Sequence, residues 1–415
     1  MHMAAQTRAE RVEVVIIGAG HAGLAVSHEL QSADVEHVIL ERDRVGESWR
    51  KRWENFCLVT PNWTLELPGL AYEGDEPNGF VHRDEIVAHV VKYAAMLTAP
   101  IREGVDVSSV EPSAEGRFRL MLADGDLEAN AVVVAAGAYR KTHRPAVAST
   151  LPADVNVIDA DGYTRPEDLP SGKVLVVGSG QTGCQIAEEL NESGREVVLS
   201  CGRAPWGPRR VDGRDIVSWV AQTPFLDHTV ADLPHPNARL GANFQTTGRG
   251  GGHDLHYRTL QKAGVTLTGR IATVDDRQAV FADDLAESVA FGDARYADIS
   301  NLIRKTCVER GEVPPEFPEP KPFDAQPPER MNLRDCGAVI FTSGFRPDYG
   351  DWVRFPDAFD ELGFPIQQDG ESSVAPGLFF IGTHFLRKRK SATFMGALED
   401  APIVAERIVA RLRSG

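Results

Sequence analysis

The apolar positions of this chain fall into short unbroken runs rather than long stripes. VEVVIIG (12–18), AVVVAAG (131–137), KVLVVG (173–178), AVIFTSG (338–344) and GLFFIG (377–382) each end in glycine. Runs this short, closed by glycine, predict parallel strands buried on both faces. After two of them the period turns helical. LAVSHEL follows residues 18–23, and CQIAEEL follows residues 178–183. HVIL and EVVL then restore the strand pattern. Strand, helix and strand, twice over, predict an α/β fold with two Rossmann-type units.

The alternation over 101–110 and RFRLML predict antiparallel strands. HDLHYRTLQKAG (253–264) reads as a helix and VTLTGR (265–270) as a strand. Further helices are expected from Ala294 to Glu309 and from about Ala397 to Leu412. Residues 313–328, VPPEFPEPKPFDAQPP, are too rich in proline for a regular element and read as an extended connection. The chain is then expected to return to its first unit.

Both strand-to-helix turns carry the spacing G-x-G-x-x-G. In the first, Gly18 allows the tight turn, Gly20 admits a pyrophosphate to the backbone, and Gly23 lets helix and strand pack closely. The helix N-terminus offers free N–H groups and the positive end of its dipole. HVIL ends at Glu41, about 20 residues on, where an acid accepts from ribose hydroxyls. The second loop is Gly178-Ser179-Gly180-Gln181-Thr182-Gly183. Its following strand ends in Ser200-Cys201-Gly202-Arg203, with Arg209 and Arg210 close behind. An acid there would repel a 2′-phosphate, whereas an arginine would bind it, so the second nucleotide is expected to be NADPH. The other reading of these arginines is solvated loop charge.

Composition narrows the picture. With 44 Lys plus Arg against 60 Asp plus Glu, the net charge is −16, which disfavours nucleic acid as a partner. None of the five cysteines forms a Cys-x-x-Cys, so neither zinc nor a redox disulfide is expected, and no metal site is. No apolar run reaches the roughly 18 residues of a membrane helix. The polar first ten residues predict no secretory leader, and a cytoplasmic protein is expected.

GESW after Glu41, VVVAAG, IFTSGFRPD and LFFIG, with the paired loops, resemble the flavin-containing monooxygenases, a class B flavoprotein superfamily. The likeness spans nearly the whole chain. It is greatest to uncharacterised bacterial flavin-dependent oxidoreductases that similarly carry WENFCLVTPNWTLELPG. The resemblance implies a discontinuous FAD domain, 1–165 and 328–415, with an NADPH domain, 166–327, inserted. It implies FAD and NADPH as cofactors and O2 with a small organic molecule as substrates. One oxygen atom would be transferred through a flavin C4a-(hydro)peroxide. A homodimer is left open.

By the same resemblance, Gly18, Gly20, Gly23, Glu41 and Trp49 serve FAD, Val107 meets adenine through its backbone, and Arg42, Gly137, Gly382 and Thr383 are further cofactor-binding positions. Trp49 would lie beside the flavin or be a core aromatic. Gly178, Ser179, Gly180, Gln181, Thr182, Gly183, Ser200, Arg203 and Gly344 complete the cofactor-binding set. Asn62, one register from the family's asparagine because of Pro61, would hold the oxygenated flavin. Tyr163 fits the family's interdomain signature, but Ala153 and Asp159 stand where it has phenylalanine and histidine.

Alternatives to oxygenation are a reductase or oxidase passing electrons elsewhere, and a flavin-bound redox sensor. Three features read blandly. Asp84 is expected to cap the helix that follows. Arg387–Lys390 reads as solvated surface, or as a basic patch near an anionic substrate or cofactor. Glycines 248 and 250–252 are expected to mark a mobile loop.

Overall fold

A computed structural model describes residues 10–414. The expectation about a leader falls on residues outside these. The chain opens with β1 (Glu10–Ile17), α1 (His21–Ser32) and β2 (His37–Glu41). Val14, Val15 and Ile16 are fully buried, as a strand covered on both faces requires. The chain then crosses to β3 (Ile101–Glu103), which pairs parallel with β2 rather than antiparallel as expected. Val107–Pro112 and Phe118–Leu122 do pair antiparallel, as an excursion before β4 (Leu127–Val134) runs parallel to β1.

A second, wholly parallel sheet follows. It contains β5 (Val157–Asp159), β6 (Lys173–Val177), β7 (Val197–Ser200), β8 (Thr266–Thr268) and β9 (Cys336–Phe341), in the order β8-β7-β6-β9-β5. Helix α2 (Gln181–Glu192) joins β6 to β7. The chain then returns: β10 (Leu378–Phe380) pairs parallel with β4, and α3 (Phe394–Ser414) packs on α1. The first parallel order is β10-β4-β1-β2-β3.

The crossings between the sheets differ from the expected boundaries. Lys141–Thr142 and Phe345–Arg346 pair antiparallel, so both crossings run side by side there. Val157–Asp159 and the run 338–344 therefore serve the second sheet. Fully buried parallel strands share one apolar pattern, so the pattern cannot assign a strand to one of two sheets.

The long helix begins at Leu285, not Ala294. Gly292 obscures it in sequence. Here the glycine sits in mid-helix because a Cβ would lie 2.9 Å from the Trp206 ring. Asp84 is not a cap. His82 takes that position and its N–H donates to Glu85, while Asp84 lies in the first turn. Among the described residues no helix is long and apolar enough to cross a membrane, and no cluster of metal-ligating side chains occurs.

Candidate cofactor sites

The first loop lies where β1 meets α1. Gly18 has φ +110°, and a Cβ there would fall 2.6 Å from the Ala135 carbonyl oxygen. A Cβ at Gly23 would fall 2.1 Å from the Gly18 carbonyl oxygen. Gly20 differs: a Cβ there would meet nothing within 4 Å. The loop therefore packs tightly everywhere except where a phosphate would approach. No side chain caps α1, so its first N–H groups remain available to an anion. Glu41 Oε2 accepts from Ala19 N–H at 2.7 Å and Oε1 from Asp43 N–H at 2.9 Å. An ionised carboxylate has about four acceptor positions, so capacity for ribose hydroxyls remains.

The other FAD candidates converge on this loop in part. A Cβ at Gly382 would come 2.8 Å from Ala22 Cβ, so the turn after β10 closes onto α1. Thr383 is buried beside Tyr349. Gly137 has φ +82° and open space before it, and its carbonyl accepts from the Tyr349 hydroxyl at 2.9 Å. Trp49 stacks on Phe394 at 5.5 Å, and its buried Nε1 donor has no partner. His21, the first residue of α1, packs at 4.5 Å on the same Phe394 ring. Burial lowers its pKa to about 4. Val107 is buried and paired with Leu122, and Arg42 is exposed beside Asp43.

The second loop repeats the construction. A Cβ at Gly178 would fall 2.8 Å from the Thr342 carbonyl oxygen, and one at Gly183 would fall 2.0 Å from the Gly178 oxygen. Gly180 caps α2 without a side-chain bond. Ser179 Oγ accepts from Gly202 N–H at 2.8 Å and meets the Tyr257 hydroxyl at 2.6 Å, so it braces the loop. Gln181 Nε2 donates to the Phe244 carbonyl at 3.2 Å, and Thr182 is half-buried beside it.

Two expectations need correction here. Ser200 is buried, accepts from Ile271 N–H at 2.9 Å and donates to the Gly269 carbonyl at 3.2 Å. Its hydroxyl is thus committed to bonds within the protein. Arg209 is buried in a two-pronged pair with Asp215, at 2.7 and 2.6 Å, and donates to Val59 O at 2.9 Å. Arg210 donates to the Gly251 and Gly252 carbonyls at 2.7 Å. Only Arg203 of the three is exposed with no hydrogen bond or ion pair among the described residues. It stands at the end of β7, where a 2′-phosphate would need it.

Asn62 is 2% exposed, and both ends of its amide are engaged locally. Val81 N–H donates to Oδ1 at 2.7 Å, and Nδ2 donates to the Glu76 carbonyl at 2.9 Å. This geometry fastens the 61–81 segment and leaves no free donor for a flavin-bound group. Asp159 is gripped by Arg144 at 2.8 and 2.9 Å, and Tyr163 is buried near Trp53. Gly344 lies at the crossing, its carbonyl accepting from His143 N–H.

Residues that the sequence did not single out cluster around Tyr139. Tyr139 meets His384 edge-on at 4.9 Å and Phe345 at 5.3 Å, and Arg52 lies 5.3 Å over its ring. Residues 387–390 are not a solvated run. Lys388 and Lys390 both pair with Asp227 and Glu399, and Arg387 pairs with Asp369 and Asp400. The glycine loop is packed rather than loose, since a Cβ at Gly248 would lie 2.0 Å from the Leu58 oxygen.

Comparison with known proteins agrees with this construction. The pyridine nucleotide-disulphide oxidoreductase family matches residues 15–230. An uncharacterised CzcO-like oxidoreductase of Geobacillus kaustophilus is 30% identical, over 94% of this chain and 96% of its own length. Indole-3-pyruvate monooxygenase YUCCA1 of Oryza sativa is 31% identical over 43% of this chain and 45% of its own. A flavin monooxygenase from Stenotrophomonas maltophilia shares the fold, with TM-score 0.68 at 17% identity, covering 97% of this chain and 99% of that one. Two uncapped glycine loops, each at the C-terminal end of its own parallel sheet, and a full-length CzcO-like relative place this chain in the pyridine nucleotide-disulphide oxidoreductase family, as an oxidoreductase.

Proposed function

We propose that the protein is an FAD- and NADPH-dependent monooxygenase that inserts one oxygen atom of O2 into a small organic molecule. FAD, when bound, supplies hydride acceptance from NADPH and activation of O2. The chain's own residues do the rest. The 18–23 loop and the α1 N-terminus would hold the FAD pyrophosphate, with Glu41 orienting a ribose. Trp49 Nε1 offers an unpaired buried donor to the same cofactor. The 178–183 loop would hold the NADPH pyrophosphate, with Arg203 on its 2′-phosphate.

The observation that carries this reading is the unlike pair of strand ends. Glu41 closes β2, while the exposed, unpaired Arg203 follows β7, so the two loops suit two different dinucleotides. The thiols support oxygenation over disulfide exchange. All five cysteines are free, and burial raises the pKa of Cys57, Cys184, Cys201 and Cys336. A relay thiol needs a lowered value. The test is the ratio of oxygenated product to NADPH consumed in air. The proposal requires a ratio near one with an accepted substrate; electrons recovered wholly as hydrogen peroxide would favour an oxidase.

A further inference from the structure

Beside the turn after β10 lies a cavity of about 420 Å³ whose lining includes Thr383 but no residue of either glycine loop. One wall is the turn itself, Thr383 to Arg387, directly after Gly382. The facing wall comes from 229–231, in the long excursion between β7 and β8, and a third from 360–367. That volume is nearly three times the roughly 150 Å³ of an apolar cavity that takes up benzene. It also falls in the usual range for small-molecule sites, about 300–1,000 Å³.

The lining decides the chemistry. Val230, Phe364, Ile366, Phe385 and Leu386 supply an apolar wall. Each charge is already answered. Arg239 pairs with Asp360 and lies 4.1 Å over the Phe364 ring, and Arg387 is held by Asp369 and Asp400. Both ends of the Gln367 amide are engaged, with Leu386 O and Gly370 N–H. His384 remains, with no hydrogen bond among the described residues, and burial lowers its pKa to about 4. It therefore offers a neutral imidazole. A partly enclosed apolar site whose charges are already paired penalises any further unpaired ion.

We infer that this cavity binds the molecule to be oxidised, and that its ligand is neutral and largely apolar with one polar group facing His384. The excursion that forms the facing wall is fixed across the cavity. Arg389 N–H donates to the His228 carbonyl at 2.8 Å, and Lys388 and Lys390 pair with Asp227. The inference rests on the oxygenase reading for what the ligand is used for, but not for binding itself.

Calorimetry of the oxidised, FAD-loaded protein tests it without NADPH or turnover. The ligands are phenyl methyl sulfide and its 4-carboxylate, each added to wild type, Ala231→Trp and Ile366→Trp. Ala231 and Ile366 are both solvent-exposed, so the substitutions fill the cavity mouth without disturbing a core. FAD content and melting temperature verify folding. The neutral sulfide should bind wild type, at least about tenfold tighter than the carboxylate, and lose about tenfold or more in both variants. Three results would overturn the inference: no binding of the sulfide to wild type, equal binding of the carboxylate, or unchanged affinity in folded variants. Binding as expected with no oxygenated product on turnover would instead count against the oxygenase reading alone.

Discussion

Glu41 Oε2 accepts a 2.7 Å hydrogen bond from the backbone N–H of Ala19, tying the end of β2 to the middle of the first glycine loop. One carboxylate thus sets the loop and, in the proposed reading, would also accept from the FAD ribose. A charge-assisted hydrogen bond contributes about 1.5–3 kcal/mol, so Glu41→Ala should weaken FAD binding roughly 10- to 100-fold. Glu41→Gln, which keeps one acceptor, should recover part of it. Titration of the apoprotein by flavin fluorescence measures both, and an unchanged affinity in Glu41→Ala would remove this role.

The glycines of that loop should separate folding from binding. A Cβ at position 20 meets nothing, while one at 23 strikes the Gly18 oxygen at 2.1 Å. Gly20→Ala should leave the apoprotein's melting temperature nearly unchanged and reduce FAD affinity. Gly23→Ala should destabilise the apoprotein itself. Equal melting losses in the two variants would show that position 20 is structural.

Arg203 is the unpaired arginine beyond β7. Arg203→Ala should weaken NADPH use about 10- to 100-fold and leave NADH use nearly unchanged. Steady-state kinetics with both nucleotides decides the matter, because equal losses would place the guanidinium on a shared part of the nucleotide.

Asn62 bridges Val81 and Glu76 in a buried turn. Removing its amide leaves those groups unsatisfied, which costs about 1–3 kcal/mol. Asn62→Ala should therefore melt lower yet release the same hydrogen peroxide per NADPH. A raised peroxide ratio at unchanged stability would return Asn62 to the chemistry.

Burial lowers the pKa of His256 and His384 to about 4, against about 6.5 in the unfolded chain. The unfolded state then binds more protons between those values. Stability is fully present above about pH 6.5 and declines as pH falls toward 4. Melting temperature against pH should show a shallower acid decline in His256→Gln than in wild type. Parallel curves would mean that His256 is not held neutral.

Much of this was legible in the sequence. The two loops were readable because only glycine fits Gly18, Gly23, Gly178 and Gly183. What hid was long-range. Nothing local says that Ser200 bonds across to Ile271, or that Arg209 is committed to Asp215 and Val59. That the strand Cys336–Phe341 joins the second sheet was hidden, because an all-apolar run carries no mark of its partner. The basic run 387–390 looked solvated until Asp227 arrived from a distant segment and Glu399 from the helix that follows.

The central claim is transfer of one oxygen atom at the expense of NADPH. It is tested most directly by supplying isotopically labelled O2 with NADPH and phenyl methyl sulfide to the FAD-loaded protein. Mass spectrometry of the product should find the sulfoxide carrying one labelled oxygen, in step with NADPH consumed and with the second atom leaving as water. Consumption of NADPH with all labelled oxygen recovered as hydrogen peroxide, and no labelled sulfoxide, would contradict it.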